Sequence, residues 1–289
     1  MVTKQWLNVI RDRSELSMMA NNHLVNQVNN EFLDCFVSIT FARNILNDNW
    51  FNMLGRMTQL TTLEIGNNLI DDNMVKLISE MKQLTGLDLE INQIFNEGAK
   101  SISELRNLTY LNIGNNPIND EGIESISQLD NLTDLTVSSL RITSKSAKFI
   151  SKLNNLTLLN IAYNNIGDEG AKFISEIKSL KILDISLNGI SPIGAKSISE
   201  LDQLTVLYIS QNFSIGDEGA RMISEMKQLN ELYIQDCFIG NAGAISISRM
   251  DKLTHLDISE NEIQIEGESV IRDMKHLSYL SIEGQCLYG

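Results

Sequence analysis

A chain of 289 residues, 43% hydrophobic and 21% charged, has ordinary globular composition and enough apolar material for a large core in one or two domains. No apolar run reaches the ~20 residues of a membrane span, Met1 is not followed by a secretory signal, and two prolines leave no Pro-rich linker. The net charge of −14 argues against duplex nucleic acid, whose phosphates need Lys and Arg, and permits a basic protein partner.

The charge is uneven: residues 1–35 hold three basic and four acidic groups, whereas residues 36–289 hold 20 and 33. Cys35, Cys237 and Cys286 are odd in number and unrelated in spacing, which suits neither a disulfide framework nor a zinc site. Reduced thiols of a cytoplasmic or nuclear protein are the expectation.

The first predicted element is a helical cap over residues 1–35, outside the pattern that follows. Leu24, Val25, Val28, Phe32 and Leu33 have helical spacing, and the run from Val2 to Asp12 is amphipathic around Trp6. That opening resembles the last helix of an F-box, which ends V-C-K-x-W-x-x-L-I: Val2, Lys4, Trp6 and Ile10 match, and Thr3 replaces the cysteine. The resemblance spans residues 2–16. It implies a module that docks on the adaptor of cullin-type ubiquitin ligases while repeats behind it select substrates. The L-P-x-E segment and earlier helices of that module are not in this sequence, so adaptor binding by this chain is not expected. An ordinary amphipathic capping helix with Trp6 buried is the alternative.

A repeat of 24 residues then takes over. Its template is L-x-x-L-x-I-x-x-N-x-I followed by G-D-E-G-A-K-x-I-S-E-L. The first position falls at Leu60, Leu84, Leu108, Leu132, Leu156, Leu180, Leu204, Leu229, Leu253 and Leu277. One step is 25 because of an extra residue between Gln211 and Gly216. Phe36, Ile39, Phe41, Asn44 and Leu46 fit the frame one step earlier, so about eleven repeats fill residues 36–289.

Positions 4 and 6 have the period of two of a strand. At position 9, eight of eleven repeats carry Asn, an inward side chain able to satisfy backbone groups where the strand turns away. Position 13 (Asp48, Asp72, Asn96, Asp120, Ser144, Asp168, Asp217, Asn241) predicts a helix N-cap, and Ser191-Pro192 a cap followed by a first-turn proline. Small residues at positions 15 and 16, such as Gly98-Ala99 and Gly170-Ala171, let neighbouring helices approach. Isoleucines such as Ile102, Ile174 and Ile223 bury the helix face.

These residues resemble the leucine-rich repeat family, in its helix-bearing, ribonuclease-inhibitor-like branch, although 24 residues is shorter than that branch usually has. The resemblance implies an α/β solenoid, a horseshoe with a parallel concave β-sheet and convex helices.

Motifs for chemistry are few. His23, His255 and His276 form no HExxH, there is no GxGxxG or Walker lysine, and the GDEG stretches lack the ligand ladder of a calcium loop. His255 beside Asp257 and Glu231 could be an acid–base cluster, but a solvated histidine is the stronger reading. No cofactor, no metal and no enzyme activity are expected. Sequons at Asn107, Asn131, Asn155 and Asn212 are spelled by the repeat itself. Cys237 and Leu140 replace the ladder Asn, and Arg141, Lys145, Lys148 and Lys152 form one basic cluster.

Positions 3, 5, 7 and 8 should face solvent on the concave side. Leu158, Ile182 and Val206 at position 3 should lie side by side, continued by Tyr208 and Tyr233 and bordered by Tyr163 and Leu187. Asp184, Glu231, His255 and Asp257 surround them, with Asp236 and Glu260 nearby. An apolar strip with tyrosines and a charged rim suits a protein partner. The expected function is non-enzymatic protein recognition through this face. It would serve either as the substrate-recognition part of an F-box receptor or as a regulatory or inhibitory scaffold with no ubiquitin link. The last strand, at Leu277, has no following helix, so its edge is free to pair with another chain.

Overall fold

The first half of each repeat is a three-residue strand because its apolar residues alternate: position 4 is buried under the helices while positions 3 and 5 face away. The structure, a computed structural model, describes residues 37–40 and 53–284. The helical cap expected over residues 1–35, the F-box-like run within it, and Phe36, Phe41, Asn44, Leu46 and Asp48 lie outside the described residues. So do Cys35, Cys286 and His23.

The chain comprises two compact units, Met1–Thr136 and Val137–Gly289. The first holds β1 (Ser38–Thr40), β2 (Thr62–Glu64), α1 (Asp72–Ile78), β3 (Gly86–Asp88), α2 (Asn96–Ile102), β4 (Tyr110–Asn112), α3 (Asp120–Ile126) and β5 (Asp134–Thr136). The second holds α4 (Ser144–Ile150), β6 (Leu158–Asn160), α5 (Gly167–Ile174), β7 (Ile182–Asp184), α6 (Pro192–Ile198) and β8 (Val206–Tyr208). It continues with α7 (Gly216–Ile223), β9 (Glu231–Tyr233), α8 (Asn241–Ile247), β10 (His255–Asp257), α9 (Ile265–Arg272) and β11 (Tyr279–Ser281).

Within each unit the strands are parallel, in chain order, and in the register that sets equivalent template positions side by side. The core lies between strands and helices. In the first unit it joins Leu63, Leu87 and Leu111 to Ile78, Ile102 and Ile126; in the second, Leu159, Leu183, Leu207 and Leu232 to Ile150, Ile174, Ile198 and Ile223. None of these is more than 1% exposed. No helix of the described residues is long and apolar enough to cross a membrane.

The ladder asparagines do what the sequence anticipates. Asn212 Nδ2 donates to Ile209 O (2.9 Å) and Ser210 O (3.4 Å) in its own repeat and to Ile185 O (3.2 Å) in the previous one. Its Oδ1 accepts from Asn188 N (3.0 Å) and Ile190 N (2.9 Å). Asn92, Asn164, Asn188 and Asn261 donate in the same way. Cys237 fills the place with a thiol 3.3 Å from Gln235 O and 3.5 Å from Ile209 O, and burial pushes that thiol up to about 12. At Leu140 the backbone N–H still reaches Asn164 Oδ1, at 3.0 Å.

The expected N-caps are corrected. Asp72, Asn96, Asp120, Ser144 and Asn241 are the first helical residues, and Asp168 and Asp217 the second. The residue capping its own helix is at position 12: Asp71, Asn119, Thr143 and Ser191 accept first-turn N–H groups. Ser191 with Pro192 is a cap followed by a first-turn proline, as expected. The position-13 side chain instead caps the helix of the next repeat. Asp217 Oδ1 accepts from Gly240 N (2.8 Å) and Gly243 N (2.7 Å), and Asp168 Oδ1 from Ser191 N (2.8 Å) and Gly194 N (3.0 Å). Asn241 Oδ1 does the same for Gln264 N (2.9 Å) and Gly267 N (3.1 Å).

This is one reason for the glycine at position 15 where the previous repeat supplies such a cap, as at Gly243. A Cβ on Gly243 would stand 2.6 Å from Ile239 Cγ2, 2.7 Å from Asp217 Oδ1, which its own N–H bonds, and 3.1 Å from Ala220 on the neighbouring helix. Helix packing, anticipated from the sequence, is therefore only part of the reason for the glycine. The sequons have similar uses: Asn107 and Asn131 side chains donate to Lys82 O (2.8 Å) and Arg106 O (2.9 Å), and Asn212 is fully buried.

Two outcomes follow. Asn212→Ala should leave several buried backbone groups without partners and lower stability by about 3 kcal/mol or more, whereas Asn212→Cys should lower it less, as Cys237 implies; urea unfolding measures both. Asp217→Ala should destabilise by about 1–2 kcal/mol, and Asp217→Asn by much less, because Asn241 makes the same bonds with an amide.

Candidate functional site on the open strand face

The side chains at positions 3 and 5 form two rows across the strands of each unit, on the face away from the helices. In the second unit the position-3 row reads Leu158, Ile182, Val206, Glu231, His255, Tyr279, each in register with the next. The three aliphatics are therefore adjacent, and each is half-buried rather than fully exposed. The position-5 row reads Asn160, Asp184, Tyr208, Tyr233, Asp257, Ser281.

The rings of Tyr208 and Tyr233 stack, with centroids 4.3 Å apart and planes 10° from parallel. Tyr233 Oη donates to Glu231 Oε2 at 3.2 Å. Burial first, then Tyr208 and Glu231 beside it, push the Tyr233 hydroxyl up to about 12.

The two aspartates of the row differ. Asp257 is buried and taken up: it accepts from Ser259 N (3.1 Å), Ser259 Oγ (2.6 Å) and Gln235 Nε2. Asp184 is half-buried and, among the described residues, receives its hydrogen bonds from Ser186 alone, with Ser186 N 3.1 Å from Oδ1. No ion pair among the described residues includes Asp184. Burial raises its carboxyl above the ordinary value, and the Ser186 bonds only partly oppose this.

His255 sits in register with Glu231, but among the described residues no ion pair joins it to Glu231 or Asp257. Its Nδ1 is 3.0 Å from Thr254 Oγ1, and its ring stacks on Tyr279 with centroids 6.1 Å apart. Among the described residues, no three His, Cys, Asp or Glu side chains are grouped to hold a metal ion.

Position 8 borders the rows. Tyr163, Leu187, Gln211, Asp236 and Glu260 all take left-handed backbone, with φ from 47° to 58°. In that conformation each N–H reaches a carbonyl of the next repeat, as in Tyr163 N to Ser186 O and Leu187 N to Ser210 O, both 2.9 Å. Tyr163, 53% exposed, donates from Oη to Gln211 Oε1 at 3.4 Å, two repeats away. It thus spans the repeat that carries Leu187.

The sequence reading passes over Phe213 and Phe238. They occupy position 10 of consecutive repeats, are 47% and 45% exposed, and have ring centroids 6.1 Å apart. The available signal is the 25-residue step, whose extra residue follows Phe213 directly.

The open face of the first unit is different. Thr62, Gly86, Tyr110 and Asp134 fill position 3, and its polar groups bond one another: Tyr110 Oη to Asp88 (3.1 Å), Asn112 to Asp88 (3.0 Å) and Thr40 to Glu64 (2.7 Å). The basic cluster lies on and around the helices, with Lys148 over the Phe173 ring and Lys152 over Phe149, 5.9 and 5.2 Å from the centroids.

Asp184 generates a prediction. A carboxyl whose folded pKa lies above its unfolded value of 3.8 destabilises the fold wherever it is ionised. Asp184→Asn should therefore raise the melting temperature at pH 7. The advantage should fade as the pH falls and vanish below 3.8, where both states hold the proton. Thermal melts at the two pH values measure it, and equal melting temperatures at pH 7 would contradict it.

A family model described as "Leucine-rich repeat region" matches residues 47–287. No curated protein matches the chain. Among solved structures, it is similar to TLR13 in a complex with ssRNA13 (17% identity, TM-score 0.60, 92% of this chain and 38% of that one). It is also similar to the plant peptide hormone receptor RGFR1 in complex with RGF2 (20% identity, TM-score 0.52, 86% and 43%). An internalin, inlF, from Listeria monocytogenes aligns at 18% identity and a TM-score of 0.45, over 89% and 92%. This chain thus spans less than half of the TLR13 and RGFR1 chains, and identities this low are likenesses of fold. With repeat frame, parallel strands, helices and asparagine ladder all in place, the chain belongs to the leucine-rich repeat family.

Proposed function

We propose that the protein is a non-enzymatic recognition module whose partner is a protein segment with basic character, held on the open strand face of the second unit. One observation carries the reading: Leu158, Ile182 and Val206 stand in consecutive register beside the stacked Tyr208 and Tyr233. Strand propensity does not demand aliphatics at position 3, because the first unit fills it with Thr62, Gly86 and Asp134. An apolar strip with aromatic anchors and a charged rim has the anatomy of a binding hot spot.

The acidic side chains around the strip, Asp184, Glu231, Asp236 and Glu260, favour a cationic partner over nucleic acid. Asp257 already accepts three hydrogen bonds, and among the described residues His255 has no carboxylate partner within ion-pair distance, so an acid–base site gains no support from their geometry. The F-box reading rests on residues 2–16 alone. Nothing in the second unit depends on it, and the scaffold reading needs no ubiquitin link.

Affinity capture with wild-type protein and Ile182→Asp as paired baits tests the proposal. The partner retained by the wild type should bind Ile182→Asp and Tyr208→Ala at least about 2 kcal/mol, or roughly 30-fold, more weakly by titration calorimetry. Circular dichroism should show both variants folded. Unchanged affinity in both would remove this face from consideration.

A further inference from the structure

The position-5 row holds a recognition slot more specific than a hydrophobic patch. Tyr208 and Tyr233 stack face to face, so the outer face of each ring looks along the row toward a strand bearing a short side chain: Asp184 beside Tyr208, Asp257 beside Tyr233. Asp257 is closed off by Gln235 and Ser259. Asp184 is not. Next to it in the row comes Asn160, another short side chain, so the space above Asp184 is walled on one side by the Tyr208 ring. Ile182 and Val206 flank it along the strands, and adjacent strands are about 4.8 Å apart.

We infer that this slot receives an arginine side chain of the bound partner segment, its guanidinium stacked on Tyr208 and paired with Asp184. The inference rests on the proposed strand-face recognition and gives it a chemical rule. A guanidinium is planar, stacks on a tyrosine face within ~6 Å of the centroid, and carries donors at its edge that reach a carboxylate while the stack is kept. A lysine ammonium can meet the carboxylate but cannot use the flat wall in the same way. The aliphatic row alongside accommodates the methylene stem.

The charge argument agrees. Residues 36–289 carry 20 basic against 33 acidic groups, Glu231 follows Val206 in the position-3 row, and no cation of the described residues pairs with Asp184. A half-buried carboxylate among Leu158, Ile182 and Val206 disfavours the free protein, and a partner's cation would remove that penalty.

The test is a phage-displayed library of linear twelve-residue peptides selected on the full chain at near-physiological salt. Wild-type selections should enrich peptides with one invariant arginine. The best peptide, made synthetically, should lose about tenfold or more in affinity when that arginine becomes lysine, and a similar factor against Asp184→Asn or Tyr208→Leu. Ile182→Asp should abolish binding. Peptides that require Ile182 yet show no arginine preference, or bind Asp184→Asn unchanged, would overturn the arginine slot and leave the strand-face reading standing. Selections that yield no binder, or only binders indifferent to Ile182→Asp, would overturn both.

Discussion

The fold depends on one constraint: a repeat this short cannot satisfy its own backbone. After a three-residue strand the chain must turn toward the helix, and the turn buries N–H and C=O groups away from water. The ladder asparagine answers this with both ends of its amide, and three of the five partners of Asn212 belong to the previous repeat. The position-13 carboxylate or amide does the same for the start of the next helix. Position-2 threonines add a third line, as in Thr109 Oγ1 to Thr85 O and Thr133 Oγ1 to Thr109 O, both 3.1 Å. Each repeat is thus completed by its neighbours, which is why stability in such arrays resides in interfaces between repeats as much as within them.

That saturation frees the open face. Backbone groups are used up by the strands and turns, and the core is filled by positions 4, 6 and 19, so positions 3 and 5 can vary without loss of fold. The left-handed residue at position 8 is part of the same economy. Its conformation is uncommon for side chains such as Leu187 and unfavourable for a β-branched one such as Ile91. It persists because each such N–H gains a carbonyl of the next repeat. The result is a third row of outward side chains beside the first two, from which Tyr163 reaches Gln211.

What the sequence revealed follows from the range of each interaction. Strand positions, the core and the asparagine ladder were legible because they recur in the frame with an invariant chemistry. The register of Leu158, Ile182 and Val206 was legible for the same reason: parallel in-phase repeats place equal positions side by side. The Asp at position 13 was placed on the wrong helix because a cap that acts across 24 residues leaves the same pattern in sequence as one that acts locally. The left-handed turn was invisible because Asn, Tyr, Leu, Gln and Glu occupy it and glycine does not. The stacking of Tyr208 on Tyr233, and the difference between a closed Asp257 and an open Asp184, depend on side-chain partners that a repeat frame does not specify.

Asp184 connects stability to recognition. A scaffold selected only for stability would place Asn or Thr at this position, as at Asn160 or Thr136, where no charge is desolvated. Instead a carboxylate sits between Asn160 and Tyr208, beside an apolar row, and among the described residues its hydrogen bonds come from the serine two residues on. Its neighbours in the row show what the fold does when a carboxylate is merely structural: Asp257 is buried and receives three donors. Two aspartates in the same template position of the same face thus share the serine two residues on and differ in the Gln235 bond, which only Asp257 has. The one without the Gln235 bond lies next to the Tyr208 end of the aromatic stack, where a planar cation would meet both a π face and a charge. Specificity on a repeat scaffold is expected to reside in such local departures from the self-satisfying frame, because the frame itself is common to every repeat.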